Sequence, residues 1–379
     1  MKLLFVLLTS LLPQLSQAAD LSITKAPSLA ATAFELYDYT SNQTLVGKNT
    51  NERIQPASLT KLMTAYVAFN AIKQGKLSLT QTIKPSHEAV RVSADESRMF
   101  LETRKTVSVE KLLHGLIIES GNDAARVLAE TIAKDEATFA SQFMNKEAQR
   151  LGMKNTHFVN ATGLPDDQHY SSAHDLALLA AALVRDFPEF YPIYSMREFH
   201  YNNIRQYNRN KLLWRDPFVD GMKTGHTQRA GYCLVASAKR NQHRLISVVL
   251  GTSSDRMRTR ESQRLLNYGF NQFELLPLYK KEQPVSSIRI WKGTEKTVAI
   301  GSHSKLYVTI PIKQRKLLKA VLETQQPILA PINEGQVIAT LKLKLDGKPY
   351  LDLPLVALEN VELANVFSRG VDSIRLLFH

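Results

Sequence analysis

The chain reads as an α+β protein in which helices gather around an antiparallel sheet, followed by a small all-β domain and a one-sided terminal helix. Three observations predict this. Helical spacing alternates with short apolar runs from about residue 33 to 273, a strict two-residue alternation takes over past Pro277, and apolar residues three and four apart recur near the C-terminus. A length of 379 residues is enough for two domains, and 44% hydrophobic with 22% charged residues excludes a disordered or collagen-like chain. One cysteine, Cys233, excludes an intramolecular disulfide framework and a Cys-only zinc site, and reads as a packed strand residue.

Met1-Lys2 followed by the apolar run Leu3 to Leu12 and the small-residue end Ser16-Gln17-Ala18 has the layout of a secretory signal, expected over residues 1–19. The run is about half the ~20 residues that span a bilayer. The chain carries 48 basic and 35 acidic residues, a net +13. On an exported protein such a surface faces the cell envelope or anionic lipid rather than nucleic acid.

A catalytic domain is expected over residues 20–276. Pro56 to Ile72 predicts a helix with Leu62, Met63, Tyr66, Phe69 and Ile72 along one side. Ser108 caps a second helix running through Ile117, Asn122 to Ala133 forms a third, and Ser172 to Val184 a fourth. Gly231 to Ala238 and Arg244 to Leu250 are apolar strands of a hairpin that turns at Lys239 to His243, and Glu261 to Phe270 returns to helix.

Residues 277–358 predict the all-β domain. Val337, Ala339, Leu341, Leu343 and Leu345 alternate with polar partners, as do Leu351, Leu353 and Leu355, and Val285 to Trp291 and Lys305 to Ile312 are similar. This stretch holds 13 basic and 6 acidic residues. In the tail, residues 359–379, the residues Leu363, Val366, Phe367, Val371, Ile374, Leu377 and Phe378 share a helical face, with Glu362, Asn365, Arg369, Asp372 and Arg375 opposite. Buried at a bilayer centre those charges cost about 2.5–3.5 kcal/mol each, so the segment lies along an interface or packs on its own domain.

Three short segments carry chemistry: Ser58-Leu-Thr-Lys61, Ser120-Gly-Asn122 and Lys223-Thr-Gly225. Ser-x-x-Lys occurs four times, at Ser22, Ser58, Ser108 and Ser302, so a single copy says little; only Ser58 opens an apolar helix after a proline. Lys61, one turn on, reaches the Ser58 hydroxyl, and helix N-terminal N–H groups favour the charge that develops there. A lysine acts as a base only when neutral, which takes a fall of ~3 pKa units from about 10.4. Burial and a second cation, Lys223, supply the two causes. Ser120 offers a hydroxyl relay to a leaving amine and Asn122 an amide for substrate. Lys223 and Thr224 can hold a carboxylate, with Gly225 leaving room for a peptide backbone. No metal-ligand spacing and no Gly-x-Ser-x-Gly elbow occurs.

With these motifs in this order, the chain resembles the low-molecular-mass penicillin-binding proteins, specifically the serine-type D-alanyl-D-alanine carboxypeptidases. Pro56-Ala-Ser-Leu-Thr-Lys61, Asp220-Gly-Met-Lys-Thr-Gly-His-Thr227 and Leu151-Gly-Met-Lys-Asn-Thr-His157 carry the likeness further. The resemblance implies that Ser58 is acylated by the penultimate D-alanine of a peptidoglycan stem peptide, releasing the terminal one, and that β-lactams acylate the same serine. It implies backbone N–H groups of Ser58 and His226 as the oxyanion hole, and Arg209 and Arg260 near the site, with no cofactor and no metal. It also implies that residues 361–378 attach the protein to anionic lipid at the periplasmic face of the bacterial inner membrane. The family often has a histidine just before the glycine where this chain has Ala161-Thr162-Gly163. A DD-endopeptidase cutting crosslinks shares these motifs, and an envelope scaffold without catalysis is the reading from another class.

Overall fold

The structure is a computed structural model that describes residues 26–378, so the expected signal segment lies outside the described residues. The chain divides into two compact units, one of Thr24–Leu276 with Thr309–Ile312, the other built from Pro277–Val308 and Lys313–His379.

The first unit is organised on a five-stranded antiparallel sheet. Its strands are β1 (Ala33–Asp38), β2 (Gln43–Lys48), β3 (Val219–Thr227), β4 (Gly231–Arg240) and β5 (His243–Thr252), in spatial order β2-β1-β5-β4-β3. Alternate residues serve opposite faces: Tyr37, Val235, Ile246 and Val248 pack into one apolar cluster, and Leu36, Leu234, Leu245 and Val249 into another. The β4–β5 turn is shorter than expected. Pairing continues through Lys239–Arg244 and Arg240–His243, leaving Asn241 and Gln242 as the loop, with Asn241 at φ 55. That two-residue loop suits the twist of the strands better than a five-residue turn does.

The principal helices of this unit are α1 (Lys61–Lys73), α2 (Val109–His114), α3 (Asn122–Ala133), α4 (Ala173–Asp186) and α5 (Asp255–Gln272). α1 departs from the one-sided pattern: every residue from Lys61 to Phe69 is buried, which makes it a central helix covered all round. Each fully buried Leu or Phe of such a helix stabilises the fold by about 1.5–3 kcal/mol. α4 packs with it in the same cluster, while Leu265 and Leu266 of α5 close the opposite face of the sheet.

Two helix starts differ from expectation. Residues Ala57–Thr60 form a tight 3₁₀ turn ahead of α1. α5 begins at Asp255 because Ser254 Oγ accepts the Met257 N–H as an N-cap, a local signal stronger than the missing apolar periodicity of Asp255 to Arg260. α2 opens as expected, with Ser108 Oγ accepting from Lys111 N, then widens into a π turn over Gly115–Glu119 that ends at Ser120 in the left-handed region, φ 69.

The second unit carries β6 (Ser286–Arg289), β7 (Thr297–Gly301), β8 (Leu318–Glu323), β9 (Val337–Leu345) and β10 (Lys348–Ala357), paired in the order β6-β7-β10-β9-β8. Leu341, Leu343, Leu345 and Leu355 are buried as the alternation requires, whereas Val337 at the strand end is exposed. The tail helix α6 spans Val366–Leu376, capped by Asn365 Oδ1 on Ser368 N. It is shorter than the 359–379 segment expected: Val361 and Leu363 are in extended chain, bridged to Ile332 and Gly293, so Leu363 is not on the helix. Phe367, Leu377 and Phe378 are 89%, 81% and 85% exposed, and Asp372 Oδ2 ties α6 to the Lys292 N–H of its own unit. Among the described residues no helix is long and apolar enough to cross a membrane.

Candidate active site

The three motif segments converge in the first unit. The 3₁₀ turn carries Ser58, the first turn of α1 carries Lys61, the junction between the π turn and α3 carries Ser120 and Asn122, and β3, the edge strand, carries Lys223, Thr224 and Gly225. The turn and the edge strand meet because Gly225 has no side chain. A Cβ there would lie 2.8 Å from Pro56 O and 3.3 Å from Ala57 Cβ. The side of Gly225 where a Cβ would stand is therefore filled by the nucleophile's own turn. Gly163 supports the same turn from another direction: its φ is +84, and a Cβ would lie 1.9 Å from Ala57 O.

Lys61 Nζ contacts Ser58 Oγ at 2.9 Å, Asn122 Oδ1 at 2.7 Å and Thr162 O at 2.8 Å. As an ammonium it donates to all three. As a neutral amine it keeps two N–H bonds, which go to the two oxygens that can only accept. Its lone pair then faces Ser58, whose hydroxyl donates to it. Burial pushes the Lys61 ammonium down to about 7, helped by Arg209 and opposed by Glu96, Glu136 and Asp123. The amine is thus available as a base near neutral pH.

Lys223 is the second buried amine. Its Nζ donates to Ser120 Oγ at 2.8 Å and to Thr224 O at 3.1 Å, and burial together with the positive charges of Lys61, Arg209 and Arg258 pushes it well below its usual value. In this arrangement the Lys223 amine supports the Ser120 hydroxyl directly. Ser120 is fixed by its left-handed backbone, a conformation that costs a non-glycine residue about 1–2 kcal/mol. Thr224 is nearly buried beside it, and His226 is exposed farther along β3, its ring 3.9 Å from that of Tyr232.

The arginines divide. Arg209 Nε donates to Glu119 O, and its guanidinium also pairs with the Glu119 carboxylate, immediately before Ser120. Arg260 does not reach the motifs: it is bound to Glu261 and to the Met257 sulfur. Arg258 takes the place expected for it, donating to Gly225 O at 2.8 Å and to Cys233 O at 3.4 Å. The reason is the early start of α5. Two helical residues differ by about 200° around the axis, so residues 258 and 260 face opposite ways. Reading Ser254-Asp255 as a cap finds Arg258; nothing local marks Glu96, 26 positions from the Asn122 it contacts. Just before Gly163, where the family often has a histidine, this chain has the buried Thr162, whose carbonyl accepts from Lys61 Nζ. Cys233 is buried, its thiol pushed up to about 11, and inert. Among the described residues no group of His, Cys, Asp and Glu could hold a metal ion.

Residues 20–254 match the family described as D-alanyl-D-alanine carboxypeptidase, and residues 273–363 match the C-terminal domain of penicillin-binding protein 5. The chain belongs to the D-alanyl-D-alanine carboxypeptidase family. It is 43% identical to the D-alanyl-D-alanine carboxypeptidase DacC of Escherichia coli (strain K12), over 94% of this chain and 90% of that one. Penicillin-binding protein 5 from Haemophilus influenzae superposes with a TM-score of 0.84 at 41% identity, covering 89% of this chain and 99% of the other. Penicillin-binding protein D2 from Listeria monocytogenes in its ampicillin-bound form superposes at 0.58, with 32% identity over 64% of this chain and 98% of that one. The architecture is accordingly that of a penicillin-binding protein: a mixed helix-and-sheet carboxypeptidase domain followed by a β-rich C-terminal domain.

Proposed function

We propose that this carboxypeptidase removes the terminal D-alanine of peptidoglycan stem peptides through an acyl-enzyme on Ser58. Ser58 Oγ attacks the carbonyl of the penultimate D-alanine while its proton passes to the neutral Lys61 Nζ. The tetrahedral intermediate collapses, the C–N bond breaks, and the leaving nitrogen takes a proton from the Ser120 hydroxyl, which Lys223 replenishes. Lys61 passes its proton back to Lys223 through solvent, and water then hydrolyses the Ser58 ester, its proton moving through the neutral Lys61 Nζ to the departing Ser58 Oγ. Backbone N–H groups of Ser58 and His226 form the oxyanion hole, worth about 3–4 kcal/mol in such chemistry. Thr224 with Arg209 and Arg258 receives the terminal carboxylate, and Asn122 holds the substrate amide.

The observation that carries this reading is the 2.9 Å contact between Ser58 Oγ and a buried Lys61 Nζ whose other two directions end on acceptors. A β-lactam offers its ring carbonyl to the same oxygen and acylates Ser58. The test is mass spectrometry of the protein after labelled penicillin, with D-alanine release from a pentapeptide in parallel. The adduct is expected on Ser58, and Ser58→Ala abolishes both signals. An intact Ser58 in folded, D-alanine-releasing protein overturns the assignment.

The exposed apolar face of α6 supports a second element, peripheral attachment to anionic lipid on the periplasmic face of the inner membrane. Eleven residues span about 17 Å, too short to cross a bilayer but suited to lying in its surface. Arg369 and Arg375 each add about 1 kcal/mol near anionic headgroups. Deleting residues 365–379 moves the protein to the soluble fraction with Ser58 acylation retained; retention on membranes sinks this element.

A further inference from the structure

Lys61 is held by two acceptors that are themselves held from behind. The Asn122 amide nitrogen donates to the Glu96 carboxylate. The peptide that offers Thr162 O follows Ala161, whose N–H donates to Glu136 Oε1 at 2.8 Å. Arg126, one turn beyond Asn122 on α3, lies against both carboxylates, 3.5 Å from Glu96 and 4.0 Å from Glu136, and anchors itself on Arg91 O at 2.7 Å. Glu96 also accepts the Ser93 N–H, so its carboxylate is fixed on three sides.

An asparagine amide can rotate by half a turn and exchange its oxygen for its nitrogen. The two orientations are not equivalent for Lys61. With Oδ1 inward, a neutral Lys61 spends an N–H on Asn122 and keeps its lone pair for Ser58. With Nδ2 inward, the amide N–H competes with the Ser58 hydroxyl for that lone pair, and the base is quenched. A carboxylate behind the amide settles the choice, because it only accepts and so requires the nitrogen to face it.

We propose that Glu96 is a positioning residue that locks the Asn122 amide with its oxygen toward Lys61 and so keeps the lysine lone pair on Ser58. The inference rests on the acyl-enzyme reading. The Glu96 charge has a second consequence: it favours the ammonium form of Lys61, as do Glu136 on the segment after α3 and Asp123 on α3, against Arg209 before β3 and Lys223 on β3.

The test is the pH profile of Ser58 acylation by benzylpenicillin in the wild-type chain, Glu96→Gln and Glu96→Asp. Glutamine can present either end to Asn122, so Glu96→Gln is expected to lower the plateau rate about tenfold, and loss of the charge moves the acid limb to lower pH. Glu96→Asp keeps an acceptor-only charged group and returns the limb toward the wild-type position. A residue that merely supports the loop lowers thermal stability without moving the limb. A Glu96→Gln profile that overlays the wild type, or a limb displaced equally by glutamine and aspartate, overturns the proposal. If the wild-type chain forms no adduct on Ser58, the acyl-enzyme reading itself fails, which is a distinguishable result.

Discussion

Lys61 shows how a residue type acquires a function from its surroundings. A solvated lysine is protonated at every physiological pH, whereas this one sits at the base of the central helix with burial pushing it down to about 7. The neutral amine is the base, so acylation of Ser58 is expected to rise with pH and level off above about 7, measured with a fluorescent penicillin. The same shift bears on stability. Between about pH 7 and the unfolded value near 10.5 the unfolded chain binds the extra proton, so Lys61 makes the fold more stable as pH rises through that window. Lys61→Met removes this dependence from the melting profile along with the acylation. The arginines give a second residue-scale test. Arg258→Gln is expected to raise KM for a D-Ala-D-Ala peptide at least tenfold, while Arg260→Gln stays within about twofold, because only the former reaches Gly225. Equal effects from the two overturn the assignment.

At the scale of elements, the site depends on how closely one turn approaches one strand. The 3₁₀ turn of Ala57–Thr60 is wedged between β3 at Gly225 and the loop at Gly163. Both glycines act by having no Cβ, and Gly163 also needs its left-handed backbone. Gly163→Ala drives a methyl into Ala57 O, an obstacle made of backbone that cannot rotate away. The expected result is a loss of at least ~2 kcal/mol of stability, since strain and overpacking add, and penicillin acylation more than tenfold slower. Thermal melting and adduct formation check the two parts. A stable, fully reactive variant shows that the turn is positioned by something else.

At the scale of the molecule, the two units divide the work. All the motif chemistry lies in the first, while the second presents a sheet with a lysine-rich sequence and an uncovered apolar helix. Exposed phenylalanines are a stability liability in water, which makes their retention on α6 a statement about another phase. Phe367→Glu with Phe378→Glu is expected to weaken binding to vesicles of anionic phospholipid more than tenfold, read by co-sedimentation, and to leave Ser58 acylation unchanged. Binding that survives both changes removes the apolar contact from the account.

Much of this was legible before any coordinates. Apolar spacing placed α3, α4 and the β4–β5 hairpin within a few residues, because burial on one face imprints a period on the chain. Ser58, Lys61, Ser120, Asn122, Lys223 and Thr224 were marked by short motifs whose chemistry needs those residue types. What the linear sequence could not contain is adjacency between distant segments. Glu96 behind Asn122, the Thr162 carbonyl on Lys61 and Gly225 against Pro56 are contacts across 26, 101 and 169 positions, and no local pattern encodes them. The sequence supplied the groups and the helices and strands that carry them. Only tertiary packing withdrew water from Lys61 and aimed its lone pair, because desolvation and hydrogen-bond direction are properties of neighbours in space.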